Sequence, residues 1–232
     1  MPTQQESNIE DFAYDYLHAY YGARYSTKNI LVAKAEITKQ NAATTGLLAF
    51  KAADDTAFVA TINTQLSPEI TRLLIRYKKE GLSKLRLITA FVLFAAALFF
   101  GKTMGLHWAL VYLLPVVAAL TGFVLHSLLE KKYLEHRLEQ LVNELKNTPA
   151  DEKWLGLSIS SLTFRHNALA NHFLDICKRR GIGIITVGKR AKVMQLQEPH
   201  TVNCRRGDFL SYYAAEEQIR KALRDNTILR VA

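Results

Sequence analysis

Two long apolar segments, separated by only a few residues, constrain this chain more than any other feature. Residues 87–101 and 106–129 contain no Asp, Glu, Lys or Arg. A helix needs about 20 mostly apolar residues to cross the hydrocarbon core of a bilayer, and about 17 at the short end. The second segment meets this length outright. The first meets it when Leu85 and a snorkelling Arg86 or Lys102 are included.

The residues around these segments predict how they lie in a membrane. Only residues 102–105 separate them, so the two spans, at about 85–102 and 106–129, must be antiparallel. The basic residues that flank the two apolar segments on the side of the long chain ends are Arg72, Arg76, Lys78, Lys79, Lys84, Arg86, Lys131, Lys132 and Arg137, whereas the turn holds only Lys102. Because Lys and Arg favour the cytoplasmic side, we expect a multi-pass protein of the cytoplasmic (inner) membrane with both termini in the cytosol.

Amphipathic patterns on both sides of the hairpin predict that its helices extend into the cytosol. The segment at 67–85 opens with Ser67 as a helix N-cap and Pro68 at the first helical position. The segment at 130–147 carries leucines at alternating spacings of four and three residues. Two heptads are too few to predict a coiled-coil dimer, and the oligomeric state is not predicted.

The N-terminal part reads as one helix followed by three strands. The helix covers about 7–25, with Ser7 and Glu10 spaced as a capping box. The strands are predicted at 29–37, 46–50 and 57–63 from their apolar and β-branched content. Three strands and one helix cannot cover both faces of a sheet, so this part requires a partner.

The C-terminal part supplies the missing elements. A helix is predicted at 167–181, a buried apolar strand at 182–188, an edge strand at 191–199 and a last amphipathic helix at 207–225. A helix that leads into a buried strand needs a sheet to join. We therefore expect one discontinuous α/β domain made of residues 1–66 and 148–232, with residues 67–147 inserted as helical stalk and transmembrane hairpin. Two separate small domains are the alternative.

The predicted order of helix, three-stranded meander, helix and strand resembles that of the restriction endonuclease-like, or PD-(D/E)xK, superfamily. The resemblance covers about residues 7–66 and 153–200, and includes "KWLGLSISSL" and "FLDICKRRGIGIITVGKRAKVMQLQEP". It implies a mixed sheet formed from both chain halves, here interrupted by the two-helix transmembrane hairpin. It also implies a place for a metal-dependent nuclease site.

The residues at that place are neutral. Active members of the superfamily carry an acidic residue on the second strand and Glu-x-Lys on the third. The carboxylates hold a divalent cation, and the lysine steadies the attacking water or the phosphate charge. In this chain Thr45 takes the place of the first acid, Asn63 that of the glutamate and Gln65 that of the lysine, and Thr61, Asn63 and Gln65 are expected on one strand face. The resemblance therefore implies a degenerate motif, with no catalytic residue, metal or cofactor assigned.

Other residues could replace the lost carboxylates. The candidates are Glu36 on the first strand, Asp54 and Asp55 in a turn, and Glu10 and Asp11 on the first helix. Strand-face polarity, turn formation and helix capping explain them more simply, and we favour those interpretations. Cys177 and Cys204 lack the spacing of a zinc site or a disulfide framework.

The chain is basic, with 30 Lys and Arg against 21 Asp and Glu and a net charge of +9. That excess suits an anionic partner, either nucleic acid or lipid headgroups. The candidate residues for such a contact follow the second half of the fold: Lys178, Arg179, Arg180, Lys189, Arg190, Lys192, Arg205 and Arg206. Cations at a helix C-terminus also simply complement its dipole.

Three functions remain open from the sequence. The first is a non-catalytic, membrane-anchored binding module on a nuclease-like scaffold, which holds a nucleic acid or protein partner on the cytosolic side. Analogy with the family adds the context of a bacterial defence or stress system. The second is an active metal-dependent nuclease with a migrated site, built from Glu36 and Asp54 or Asp55. The third is a structural membrane protein that binds anionic lipid or a partner subunit.

Overall fold

The computed structural model describes residues 4–27, 29–39, 43–51, 56–105, 107–188, 192–205 and 207–225. The chain forms two compact units. One contains residues 1–75 and 138–232, and the other contains residues 76–137. The first unit is therefore discontinuous in sequence, and the second is the segment inserted into it.

The discontinuous unit is built on one mixed sheet of six strands in the order of the chain. The strands are β1 (Leu31–Lys34), β2 (Gly46–Lys51), β3 (Ala57–Asn63), β4 (Glu152–Leu157), β5 (Ile182–Val187) and β6 (Val193–Gln197). β1, β2 and β3 form an antiparallel meander, β3, β4 and β5 are parallel, and β6 returns antiparallel to β5. The fold class is α/β, and the prediction that both chain halves share one sheet is confirmed.

The first helix covers one face of this sheet. α1 (Gln4–Tyr25) packs Leu17 and Tyr21 into a core. Its partners from the strands are Leu48, Phe50, Phe58, Ala60, Ile62 and Trp154. α1 begins at Gln4 and not at Ser7, so the predicted capping box is wrong. Glu10 instead accepts a hydrogen bond from the hydroxyl of Thr64.

The second helix, α2 (Ser67–Glu80), starts directly after β3. The prediction of Ser67 as its N-cap is wrong, because the Leu66 carbonyl already accepts the first helical bond, from Ile70 N–H. The Ser67 hydroxyl is engaged elsewhere and accepts from Ser158 N–H at 2.8 Å. This bond fixes the start of α2 to the end of β4.

The inserted unit contains most of two long helices, α3 (Leu85–Thr103) and α4 (Trp108–Lys146). Within it Gly122 lies against Leu93, and Gly101 lies against Val111, so glycine lets the helices approach closely. Both helices are long and apolar enough to span a membrane. Only 6% of the most apolar stretch of α3 and 11% of that of α4 are buried. A core helix of a soluble protein would be mostly buried. Phe91 and Trp108 are each 71% exposed, which is the pattern expected of lipid-facing side chains.

The last part of the chain covers the other face of the sheet. α5 (Ala168–Arg179) precedes β5, and α6 (Glu216–Arg224) packs Ile219 and Ala222 beside β1 and β2. The single helix predicted at 207–225 is wrong. Tyr213 is extended and forms a β-bridge with Thr38, so only a short 3-10 turn precedes α6.

Candidate functional site

The position expected of the degenerate motif is the end of β3, next to the start of β2. Thr45 lies just before β2 and is buried. Its hydroxyl accepts a hydrogen bond from Thr64 N–H at 3.0 Å, and its carbonyl accepts one from the Tyr14 hydroxyl at 2.7 Å. Both oxygens therefore join α1, β2 and the end of β3.

The other two motif positions have different environments. Asn63 is the last residue of β3, and its side-chain oxygen accepts from Leu66 N–H at 3.4 Å. Gln65 lies in the turn between β3 and α2 and is exposed. The expectation that Gln65 shares a strand face with Thr61 and Asn63 is therefore wrong. β3 ends at Asn63 because Ser67 N–H bonds back to the Thr64 carbonyl and closes the turn.

Few carboxylates surround this end of the sheet. Glu10 reaches it and accepts from the Thr64 hydroxyl at 2.9 Å, whereas Asp11 forms an ion pair with Lys34 at 3.0 Å. Glu36 is partly buried, and this burial raises the pKa of its carboxyl. Asp54 and Asp55 lie outside the described residues. In the part of the chain that the structure describes, no group of three or more His, Cys, Asp or Glu is placed to hold a metal ion.

A lysine that the sequence did not single out lies beside these motif residues. Lys153 on β4 pairs in register with Thr61, and it lines a small cavity with Asn63 and Thr148. The cavity volume of about 10 Å³ is roughly room for one water and none for a substrate. Burial lowers the pKa of Lys153, and its ammonium donates to the Lys146 carbonyl at 2.6 Å. The Lys153 ammonium therefore caps the C-terminal end of α4.

A second missed group is a buried polar network on the opposite face of β4. Glu152 is fully buried and accepts from the hydroxyls of Tyr21 and Thr201, each at 2.6 Å, and from Arg24 at 3.2 Å. The Tyr21 hydroxyl in turn accepts from Trp154 Nε1 at 2.7 Å. Burial, followed by the charge of Glu152, raises the pKa of Tyr21. The network joins α1, β4 and the segment after β6, and its carboxylate is fully engaged by these donors.

The neighbouring Asp151 is held in a different way. Its carboxylate accepts from Val59 N–H at 2.8 Å, which ties the start of β4 to β3. Burial raises the pKa of Asp151 to about 6, helped by the charges of Asp208 and Glu152. Asp208 itself receives two hydrogen bonds from Arg220 on α6, at 2.8 and 2.9 Å.

Among the described residues, the predicted basic residues do not form one surface. Lys178, Arg179 and Arg180 end α5 and precede β5, whereas Lys192 directly precedes β6. A strand of six residues separates the two groups by about 20 Å. The segment that leads to Arg205 passes close to the end of α5, because His200 N–H donates to the Gly181 carbonyl.

The members of the first group differ in accessibility. Lys178, Arg179 and Arg205 are exposed. Arg180 is held in an ion pair with Glu139 of α4 at 3.1 Å. Lys189, Arg190 and Arg206 lie outside the described residues.

No protein-family model, curated protein or solved structure matches this chain. The function of the candidate site is therefore inferred from its own residues.

Proposed function

We propose that this protein is a membrane-anchored, non-catalytic binding module with a restriction endonuclease-like scaffold on the cytosolic side of the membrane. The hairpin of α3 and α4 is the anchor. The discontinuous α/β unit holds the partner, for which nucleic acid has the appropriate chemistry.

The topology supports the scaffold. The superfamily order implied by the sequence is helix, three-stranded meander, helix and strand. Over residues 7–66 and 153–200, the observed order is α1, the antiparallel β1, β2 and β3, then the additional strand β4, and then α5 and β5, with β5 parallel to β4. The membrane hairpin lies between α2 and β4, so the insertion leaves this order unchanged.

The hydrogen bonds made by the motif side chains support a protein without nuclease activity. Thr45 and Asn63 accept backbone hydrogen bonds from Thr64 and Leu66, and so stabilise the β3–α2 turn. Neutral oxygens already engaged in this way cannot neutralise a divalent cation as carboxylates do. This is the single observation that carries the proposal.

The exposed cations at the end of α5 support an anionic partner. Lys178 and Arg179 lie in the last turn of α5, and Arg205 comes from the segment that reaches the same end of β5. Phosphate contacts by Lys and Arg dominate nucleic-acid affinity and make it strongly salt-dependent.

Catalysis is tested with the purified full-length protein, single- and double-stranded DNA and RNA, and Mg²⁺ or Mn²⁺. We expect no cleavage, either by the parent or by Asn63→Ala. Cleavage that is lost in Glu36→Gln or Asp55→Asn but retained in Asn63→Ala would overturn the proposal and indicate a migrated nuclease site.

Binding is tested with the same nucleic acids over a range of salt concentrations. The double variant Lys178→Gln/Arg179→Gln should weaken binding and reduce its salt dependence. Lys221→Gln/Arg224→Gln is the matched control, because it removes two exposed cations from the last turn of α6. Equal losses in both variants would show a diffuse charge effect, and no binding to any nucleic acid would favour a protein partner.

A further inference from the structure

Polar side chains lie between α3 and α4 at the end of the hairpin where α3 begins and where basic residues are concentrated. Ser83 N–H donates to Glu130 at 2.7 Å, which fixes the start of α3 against α4. About one turn further along the hairpin, the Thr89 hydroxyl lies 3.3 Å from His126 Nδ1. The Arg86 guanidinium, from the first turn of α3, lies over the ring of Phe123 on α4, 5.1 Å from its centroid.

These groups are costly in a membrane unless they meet a polar partner. Ionisable side chains at membrane depth are rare and mark binding functions. No described carboxylate forms an ion pair with Arg86, and its described neighbour is the face of Phe123. The carboxylate of Glu130 is engaged by Ser83, and its second oxygen is buried without a partner among the described residues. The guanidinium is therefore available to an anion that approaches from the lipid phase.

The charge around this end of the hairpin favours an anionic lipid. Lys79, Lys84 and Lys132 are exposed, and no described residue forms an ion pair with them. Apart from Lys102 in the turn, residues 76–137 hold eight Lys or Arg and three Glu. The basic residues are Arg76, Lys78, Lys79, Lys84, Arg86, Lys131, Lys132 and Arg137. Clusters of four to eight cations next to a membrane span are typical of anionic-lipid binding.

We propose that the polar end of the α3–α4 hairpin binds the phosphate headgroup of an anionic phospholipid. Arg86 contacts the phosphate, the Thr89–His126 pair offers a polar contact between the same two helices, and Lys79, Lys84 and Lys132 form the surrounding positive surface. This inference rests on the proposed membrane anchoring. It also separates a lipid contact in the hairpin from the partner contact proposed at the end of α5.

The test uses the full-length chain reconstituted in phosphatidylcholine bilayers that contain phosphatidylglycerol. Spin-labelled forms of the two lipids report, by electron paramagnetic resonance, the fraction of each that the protein immobilises. The parent should prefer phosphatidylglycerol. Since one cation near the surface contributes about 1 kcal/mol, Arg86→Gln should lower that preference about fivefold, and Arg86→Lys should keep most of it.

Lys102→Gln is the matched control, because it removes one cation from the other end of α3. Its loss of lipid preference should be smaller than that of Arg86→Gln, because Lys102 is the one Lys or Arg in residues 87–129 whereas Arg86 belongs to a cluster of eight. Equal effects of Arg86→Gln and Lys102→Gln, or a parent without preference, would overturn the inference. Alkaline carbonate extraction of the same reconstituted protein tests the anchoring separately. If the parent is extracted, the anchoring itself is contradicted. If the parent stays inserted but shows no lipid preference, only the lipid site is contradicted.

Discussion

At the scale of single residues, Glu152 is the polar residue on which the α/β unit depends most. It is fully buried, and its donors come from α1 and from the segment after β6. Glu152→Ala should lower the free energy of unfolding by about 3 kcal/mol, because it leaves buried donors and Arg24 unpaired. Tyr21→Phe removes the donor to one Glu152 oxygen and the acceptor of Trp154 Nε1, and should cost about 2 kcal/mol. Urea unfolding in detergent, followed by circular dichroism, measures both.

Glu139→Gln is the control for this comparison, since the Glu139 side chain is half exposed in its ion pair with Arg180. An exposed pair contributes less than about 1 kcal/mol. If Glu152→Ala were no more destabilising than Glu139→Gln, the buried network would not hold α1 to the sheet.

Asp151 should make stability depend on pH. Its folded-state pKa, about 6, is raised above the ordinary value of 3.8, so the folded state binds the proton more tightly than the unfolded chain. The stabilisation from protonation is fully present below about pH 4 and is lost as the pH rises through about 6. The melting temperature of the parent should therefore fall over this window, relative to Asp151→Asn.

Asn can still accept from Val59 N–H, so Asp151→Asn keeps the hydrogen bond and removes the charge. It should melt above the parent at pH 7.5 and at nearly the same temperature at pH 4. Parallel pH profiles for the two proteins would show that Asp151 does not carry the dependence.

The sequence placed Thr45 and Asn63 correctly, but not Gln65 and not the contacts that these side chains make. Thr45 and Asn63 lie at adjacent strand ends, as the strand periodicity predicted. That their oxygens accept from Thr64 and Leu66 follows from the β3–α2 turn, whose geometry is set by tertiary packing. Glu152 was missed because a charged residue usually indicates an exposed position, and its donors lie 128 or more residues away in α1 and 49 residues away at Thr201.

At the scale of elements, periodicity predicted β2 and β3 nearly to the residue. β1 is shorter than predicted, because Ala35 takes a positive φ of 54° and interrupts the strand. The last helix was predicted too long, because the bridge between Thr38 and Tyr213 competes with helix formation. Such long-range pairing leaves no local signal in an amphipathic stretch.

The packing of α1 on β2 gives a prediction at this scale. A Cβ on Gly46 would overlap the phenol ring of Tyr14, and Tyr14 is buried between α1 and the sheet. Gly46→Ala should therefore shift α1 and lower the free energy of unfolding by about 1–3 kcal/mol. Gly188→Ala is the matched control, since its nearest neighbour would be 3.7 Å away. Equal stability of the two variants, measured by thermal unfolding, would contradict close packing at Gly46.

At the scale of the whole molecule, the insertion could be predicted because two features indicate it: the apolar hairpin and the incomplete sheet of each chain half. Two charge-free segments separated by four residues admit few arrangements, and the three N-terminal strands and the buried strand at 182–188 each need the other half of the chain to complete a sheet. The partner could not be predicted in the same way. Cations such as Lys178 and Arg179 satisfy a helix dipole and a phosphate equally well, so their spacing alone does not identify the ligand.

Membrane orientation is the prediction that belongs to this scale. Among the residues 76–137, eight cations lie at the end where α3 begins and one, Lys102, lies near the turn. The positive end should remain in the cytosol, which places both termini there and Met104 outside. A fluorescent protein fused to either terminus should fold and fluoresce. An alkaline phosphatase inserted at Met104, which is 74% exposed, should be active only if the turn reaches the periplasm.

The same argument predicts how the orientation can be weakened. Replacing Lys84, Lys131 and Lys132 with Gln removes three cations beside the spans and should give a mixed population, with phosphatase activity from some terminal fusions. Replacing Lys178, Arg179 and Lys192 removes the same charge far from the spans in sequence and should leave the orientation unchanged, because only cations within about 15–20 residues of a span act on it. Periplasmic activity from a terminal fusion of the parent would contradict the two-span arrangement. Equal effects of the two triple variants would show that net charge, and not its position beside α3 and α4, sets the orientation.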